Sequence, residues 1–463
     1  MSTFPYSAAA SDPRNLWHPC TQMQRLPAVP PLQIARGSGP WLIDAAGRRY
    51  YDAISSWWVN LFGHAHPGIG AALKDQLDTL EHVMLAGCVH RPAAELAERL
   101  STLAGGALGH AFYASDGASA MEIALKMSFH YWRNRGQTQR RTFVRLRGGY
   151  HGETLGALAV TDVQIFRDVY APLLAQSHVA MSPDARQAVP GETADGVAAR
   201  ALADLDALLA KHAGTVAAVV VEPLVQCAAG MAMHDAAYLR GLRALCDRHD
   251  VHLIADEIAV GCGRTGTFFA FEQAALPGAA PIWPDLLCLS KGISGGYLPL
   301  SLVLSRPQLY AAFLDDDVAR GFLHSHSYTG NALACRAALA VLDRFDQANV
   351  LEANRTRAAQ LTAALAPLRD DARLEHLRQL GMIWAFDVRE PFAGARFAER
   401  FHLAGRAREL LIRPIGRTVY LMPPYVLDAS LSDWLARQLR ATLDDVLQPA
   451  HPGADRPSEP AVA

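Results

Sequence analysis

Five short runs set the terms on which this chain can fold. They are "TFVRL" (Thr142–Leu146), "VAAVVVEPL" (Val216–Leu224), "VHLIADE" (Val251–Glu257), "DLLCLS" (Asp285–Ser290) and "LSLVLS" (Leu300–Ser305), each with apolar residues on both parities. A strand with one wet face alternates polar and apolar. One that is apolar on both parities is covered on both sides, as in a parallel sheet flanked by helices. Helical patterns lie between the runs. In "MEIALKMSFHYW", Met121, Ala124, Leu125, Phe129 and Trp132 fall on one face, and "AAYLRGLRALCDRHD" repeats the pattern before Val251. The alternation predicts an α/β domain built on a large, mostly parallel sheet.

The two ends read differently. "WLIDAAGRRYYDA" (Trp41–Ala53) predicts a hairpin around an Ala-Gly turn. From about Ala337, long helical patterns such as "ACRAALAVLDRF" precede a strand at "VYLMPPY". The expected organisation is a large domain over 61–336 and a smaller α+β domain drawn from both ends, 1–60 and 337–448. The proline-rich, polar stretch 449–463 is expected to be a flexible tail. With 51% hydrophobic and 19% charged residues, the chain of 463 can bury a large core and is not a disordered polymer. A net charge of -2 provides no field for nucleic acid or an anionic membrane. No apolar run is long enough to span a bilayer, and the start lacks the basic and apolar regions of a signal peptide. The seven cysteines are scattered and never form C-x-x-C, which points to reduced thiols and a cytoplasmic setting.

Within "PDLLCLSKGISGGYLPLSLVLS", Lys291 is a single amine between two apolar strands. Asp256 ends the preceding strand, and parallel strands present their carboxyl ends to ligands. A buried ion pair would be a poor stabiliser. The pair suits pyridoxal phosphate, which needs an amine for its aldehyde and a carboxylate for its ring nitrogen. Burial should lower the pKa of such a lysine. Other stretches join this constellation. Ser115 to Ser119 form a small-residue turn that opens a helix, either an anion site or ordinary capping. Tyr150 and His151 lie in a glycine-flanked turn, where a tyrosine can stack on a ring, and Ile258 is spaced to cover the other face. Ser327 and Thr329 offer hydroxyls before a helix. "HAHP" and "HSHS" lack the cysteine or carboxylate partners of a metal site, so no metal is expected. Trp57 and Trp58 read as core, and Arg264 reads either as a donor-carboxylate ligand or as a surface pair.

"LIADEIAVGCGRTG", "PDLLCLSKGISGG" and "SYTGNALAC" stand in the order and spacing of a known family. The chain resembles the class III, subgroup II aminotransferases, pyridoxal-phosphate enzymes of fold type I, from about Trp17 to Tyr425. The resemblance implies Lys291, Asp256 and Tyr150 as catalytic residues. It implies cofactor contacts from Gly117, Ala118, Gln226 and Ile258, and a homodimer with shared active sites, in which His326 and Ser327 reach the phosphate from the partner. "LWHPCTQM", "SSWWVNLFGHAHP", "HVMLAG" and "IRPIGRTVYLMPPY" resemble a biotin-pathway branch of that family. Its members convert 8-amino-7-oxononanoate to 7,8-diaminononanoate, usually with S-adenosylmethionine as amino donor and in some members with lysine. That likeness implies Arg413 on the substrate carboxylate, Trp57 and Tyr150 along its methylenes, and Ser325 from the partner. Cys20 stands where one type in the branch has a substrate-recognising tyrosine, and Ala118 where it has a serine. Two other readings stay open: a class III ω-amino acid or diamine aminotransferase, and a non-catalytic cofactor-binding regulator. The regulator needs a DNA-binding segment, and no basic helix-turn-helix pattern precedes Trp17.

Overall fold

The computed structural model describes residues 15–447. Its first strands, Ile34–Ser38 (β1), Trp41–Asp44 (β2) and Arg49–Asp52 (β3), pair antiparallel in turn. The expected hairpin is β2–β3.

The large sheet uses His110–Ala114 (β4), Thr142–Leu146 (β5), Ser177–Ala180 (β6) and Val216–Val221 (β7). A short ribbon, Val225–Gln226 (β8) with Ala232–Met233 (β9), interrupts the alternation. Then follow His252–Asp256 (β10), Leu286–Leu289 (β11) and Ser301–Ser305 (β12). The spatial order is β4-β12-β11-β10-β7-β5-β6. β12 runs antiparallel to β11 and β4, and the remaining pairings are parallel. The sheet is therefore large and mostly parallel, as expected. β4 and β6 are additions that the sequence reading lacked.

Burial on both parities has a direct cause. Val220, Ile254, Cys288 and Val303 face a layer that includes Met121, Ile123 and Ala124 of the helix Gly117–Asn134. Val219, Leu253, Leu287 and Leu302 belong to the opposite layer, with Tyr238, Leu239 and Leu242 of the helix Ala236–Arg248. β7, β10, β11 and β12 are buried at every position.

The C-terminal part adds Leu374–Leu380 (β13), Ile383–Val388 (β14), Leu410–Leu411 (β15) and Thr418–Leu421 (β16). β13, β14 and β16 form one antiparallel sheet. β15 joins the N-terminal sheet instead, pairing in parallel with β3, Leu410 opposite Tyr51 and Leu411 opposite Asp52. The helix Ala332–Ala348 runs unbroken across positions 336 and 337, where the sequence suggested a boundary. The stretch 449–463 lies outside the described residues. All seven cysteines are free. Among the described residues no helix is long and apolar enough to cross a membrane.

Candidate active site

The carboxyl ends of β7, β10 and β11 place three ionisable side chains together. Asp256 closes β10 and is almost fully buried. Its Oδ2 pairs with His151 Nδ1 at 2.7 Å and its Oδ1 accepts the Ile258 N–H at 3.1 Å. His151 comes from the turn after β5, two strands away in the sheet, so sequence proximity could not reveal the pair. Glu222 follows β7 and accepts the N–H groups of Tyr150 and Cys227, both at 3.0 Å. Burial pushes its carboxyl up to about 7, with His151 opposing.

Lys291 follows β11 through Ser290, with φ 47, a left-handed backbone rarely adopted by a lysine. Its Nζ lies 5.2 Å from the centre of the Trp58 ring, and among the described residues it makes no hydrogen bond or ion pair. Desolvation holds the amine below its ordinary pKa, while Asp256, Cys227 and Glu222 pull the other way. This is the direction expected from sequence, because burial disfavours the charged form.

Around this floor the loops close tightly. The helix Gly117–Asn134 starts at Asp116, whose carboxylate accepts the Ser119 N–H at 2.9 Å. A Cβ on Gly117 would sit 2.9 Å from Ile258 Cγ2, and one on Gly152 would sit 2.5 Å from Ala118 Cβ. The helix N-terminus, Ile258 and the Tyr150–His151 loop thus meet without room for larger residues. Gln226 is anchored beside them: its Nε2 donates to the Arg147 carbonyl at 3.1 Å and its Oε1 accepts the Ser182 hydroxyl. The donor set fits pyridoxal phosphate. Free N–H groups at a helix N-terminus suit the phosphate, Asp256 suits the ring nitrogen, and an unengaged amine at Lys291 suits the aldehyde.

The wall of the cleft has an unusual backbone. Ser55, Ser56, Trp57 and Trp58 have φ of 50, 48, 69 and 74, one turn of left-handed helix. Trp58 N–H bonds to the Ile54 carbonyl at 2.8 Å and Val59 N–H to Ser55 at 3.0 Å. The left-handed state costs roughly 1–2 kcal/mol per residue, so outside contacts must hold it. Ser55 hydroxyl donates to the Met422 carbonyl at 2.7 Å, and Trp58 Nε1 to the Tyr420 hydroxyl at 3.1 Å. Trp58 is buried, as a core residue would be, yet its ring also faces the lysine amine, a site position the sequence reading missed. Trp57 is 45% exposed, so the expectation of a core residue does not hold for it. The guanidinium of Arg413, exposed and without a carboxylate partner among the described residues, lies 5.7 Å from its ring.

Cys20, Tyr150 and Glu153 share this mouth. Tyr150 hydroxyl donates to Glu153 at 2.8 Å, and its phenol is pushed up by burial first and by Glu153 next. The Cys20 thiol is raised by desolvation and then by Glu153, with Arg413 opposing.

Arg264 departs from one of the two sequence readings. It is 1% exposed, so it is not a surface pair. Its guanidinium donates to the carbonyls of Pro423 at 2.6 Å, Asn60 at 3.0 Å and Met422 at 3.4 Å, and lies over the Tyr425 ring at 4.9 Å. Its two terminal nitrogens tie the Asn60 and Met422–Pro423 loops together, while Nε has no hydrogen-bond partner among the described residues. The loop from His324 to Thr329 is the segment expected to serve a partner subunit. Thr329 hydroxyl accepts the His326 N–H and donates to the His326 carbonyl, both at 2.9 Å, so neither group is free as proposed from sequence. Ser325 and Ser327 are exposed, and the loop is bonded to His82 and Lys126 rather than to Lys291 or Asp256 of the same chain. Among the described residues no three His, Cys, Asp or Glu side chains gather as a metal site.

Comparisons with known proteins agree with this geometry. A family model described as aminotransferase class-III matches residues 23–443. An adenosylmethionine-8-amino-7-oxononanoate aminotransferase from Helicobacter pylori is 43% identical over 92% of this chain and 94% of its own length. One of the same name from Geobacter sulfurreducens is 38% identical over 94% and 97%. Among solved structures, the adenosylmethionine-8-amino-7-oxononanoate aminotransferase of Methanocaldococcus jannaschii superposes with a TM-score of 0.86 at 34% identity, covering 93% of this chain and 97% of that one. An amine transaminase from an uncultivated Pseudomonas species in its PLP-bound form gives 0.87 at 30% identity, over 94% and 100%.

Proposed function

The chain belongs to the class-III aminotransferases, fold type I enzymes that use pyridoxal phosphate, and from that membership we propose that it aminates 8-amino-7-oxononanoate to 7,8-diaminononanoate, with S-adenosylmethionine as donor. The observation that carries the substrate reading is Arg413. An exposed guanidinium with no acidic partner, set beside the Trp57 ring at the mouth of the lysine cleft, suits a carboxylate at the far end of an apolar chain. A planar fork of donors grips a carboxylate through two parallel bonds. Tyr150 and Trp57 would flank the methylenes, and Cys20 and Glu153 would face the amino end of the substrate.

When bound, pyridoxal phosphate supplies the aldehyde and the electron-accepting ring of the reaction. The chain supplies the rest. Lys291 holds a low-pKa amine that takes a proton from the donor carbon and returns one to the acceptor carbon. Asp256, buried and backed by His151, would hold the ring nitrogen in its protonated form. Gly117 and Ala118 at the helix start would hold the phosphate, Gln226 would lie near the ring hydroxyl, and Ile258 would cover one ring face. Ser325, His326 and Ser327 are read as reaching the site of a second subunit of a homodimer. The exposure of Leu323 and Tyr328 in the same loop supports that reading. The compartment is read as cytoplasmic from the seven free thiols.

The test mixes purified holoenzyme with S-adenosylmethionine, lysine or a simple ω-amine and follows the cofactor spectrum, then adds 8-amino-7-oxononanoate. The donor that shifts the spectrum is identified directly, and reversal by the keto acid is the expected result. Failure of the keto acid to reverse it sinks the biotin-pathway reading in favour of an ω-amino acid or diamine acceptor.

A further inference from the structure

A chain of hydrogen bonds ends on the left-handed turn and takes no part in the chemistry above. Gly63 N–H donates to Asn60 Oδ1 at 2.7 Å, which fixes the amide orientation. Asn60 Nδ2 therefore faces His64 Nδ1, 3.1 Å away, and makes that ring nitrogen the acceptor. His64 Nε2 carries the proton and donates to Asp52 Oδ2 at 3.0 Å. Asp52 is fully buried and turns its acceptors on Ser56: Oδ1 takes the backbone N–H at 2.9 Å and Oδ2 the hydroxyl at 2.6 Å. The imidazole is itself seated by glycine. A Cβ on Gly37 would come within 2.5 Å of His64 Cβ, and the His64 backbone pairs with Gly39 in both directions. The second histidine of "HAHP" does something else, since His66 caps the helix Pro67–Leu77 through the Ile69 N–H.

We propose that Asp52, His64 and Asn60 are positioning residues that keep Ser55–Trp58 left-handed and thereby set both aromatic walls of the site. Ser56 is the bonded centre of the turn. A non-glycine residue stays at φ 48 when its surroundings over-determine it, and the Asp52 carboxylate grips this one at two atoms. The turn directs two consecutive tryptophans to different tasks, Trp58 beside the Lys291 amine and Trp57 beside the Arg413 guanidinium. Relaxation of Ser56 to a right-handed conformation would redirect both. The inference deepens the proposed function at the Trp57–Arg413 end and rests on that reading there.

The experiment compares holoenzymes carrying Asp52→Asn, His64→Leu, His64→Gln and the pair Asp52→Asn with Ser56→Gly. The readouts are KM and kcat for 8-amino-7-oxononanoate and the near-ultraviolet circular dichroism of the tryptophans. Asp52→Asn and His64→Leu should raise KM about tenfold with kcat changed less than about threefold, since substrate-wall contacts loosen while Lys291 and Asp256 stay in place. Their tryptophan spectra should change as well. His64→Gln, whose amide replaces the Nε2–H donor, should restore both readouts. So should Ser56→Gly in the Asp52→Asn background, because glycine takes a positive φ without steric cost. A lowered melting temperature with unchanged KM and spectrum, or no rescue by glycine, overturns the proposal and leaves the chain of bonds as scaffold. If the Asp52 and His64 variants do not fold, Ser56→Ala against Ser56→Gly decides it: alanine must disturb KM and spectrum, and glycine must disturb them less. A wild-type enzyme inert toward the keto acid counts against the substrate reading, and the positioning role is then judged on the spectra of the same variants.

Discussion

At the floor of the cleft, Asp256 and Lys291 follow directly from the ends of β10 and β11, strands buried along their whole length. At its wall, Trp57 and Trp58 hang from four left-handed residues bonded to Asp52, Met422 and Tyr420. The floor takes most of its precision from regular structure: a parallel sheet presents Asp256 at its carboxyl edge from within a strand, and only Lys291, two residues past β11, sits on a left-handed backbone. The wall stores strain and draws its support from both chain ends. The proposed chemistry rests on the first arrangement and the proposed choice of substrate on the second.

Substitutions should separate the two regions, beginning at the floor. Lys291→Ala should lower transamination by about 10³-fold or more, the scale of a lost acid–base group. Borohydride should then fix no cofactor to the folded variant; covalent fixation in its absence would mean another amine does the work. Asp256→Asn should retain cofactor yet lose about 10²–10³-fold in turnover, the scale of removing one electrostatic partner of developing charge. Near-normal turnover would move the ring-nitrogen partner elsewhere. Arg413→Ala, at the wall, should raise KM for the keto acid about 10- to 100-fold, the worth of a charge-assisted bidentate pair. The donor half-reaction should stay close to wild type. An equal loss in both half-reactions would erase the distinction between floor and wall.

The smallest effect is one of pH and belongs to the floor. Glu257, beside Asp256, is fully buried and accepts the N–H groups of Ala270 and Phe271 at 2.7 Å, and burial raises its carboxyl from 4.5 to about 8. A group raised on folding contributes stability that is complete below the unfolded pKa and is lost as pH rises through the folded one. The melting temperature should therefore carry a downward component from about pH 5 to 8, on the order of a few degrees. Glu257→Gln should be less stable at pH 5 but flatter across that range. An equally steep variant would assign the slope to Glu222 and Glu272, each raised to about 7.

Much of the floor was legible in sequence because it follows from local pattern. β5 has the bounds read from "TFVRL", and Lys291 stood out as one amine among apolar residues. β4 and β6 were not legible: "HAFYA" and "SHVA" are short, with histidine and part-exposed positions, at the two outer places in the sheet. His151 could not be paired with Asp256 before the strand order was known. The bonds of Arg264 were not legible because its partners are backbone carbonyls, which carry no residue signature. Trp58 gave the signal of a core residue and is one, but handedness of the preceding backbone, invisible in sequence, turns its ring to the lysine.

The parallel pairing of Leu410 and Leu411 with Tyr51 and Asp52 also has a consequence in time. At roughly 5–20 residues per second, synthesis leaves β3 without this neighbour for on the order of tens of seconds. Every strand of the floor has been synthesised once Ser305 is made, while Arg413 follows only after β15. Each nascent chain thus acquires the lysine and aspartate proposed for the reaction well before the arginine proposed to select the acid. The strained turn gains its Met422 and Tyr420 anchors last.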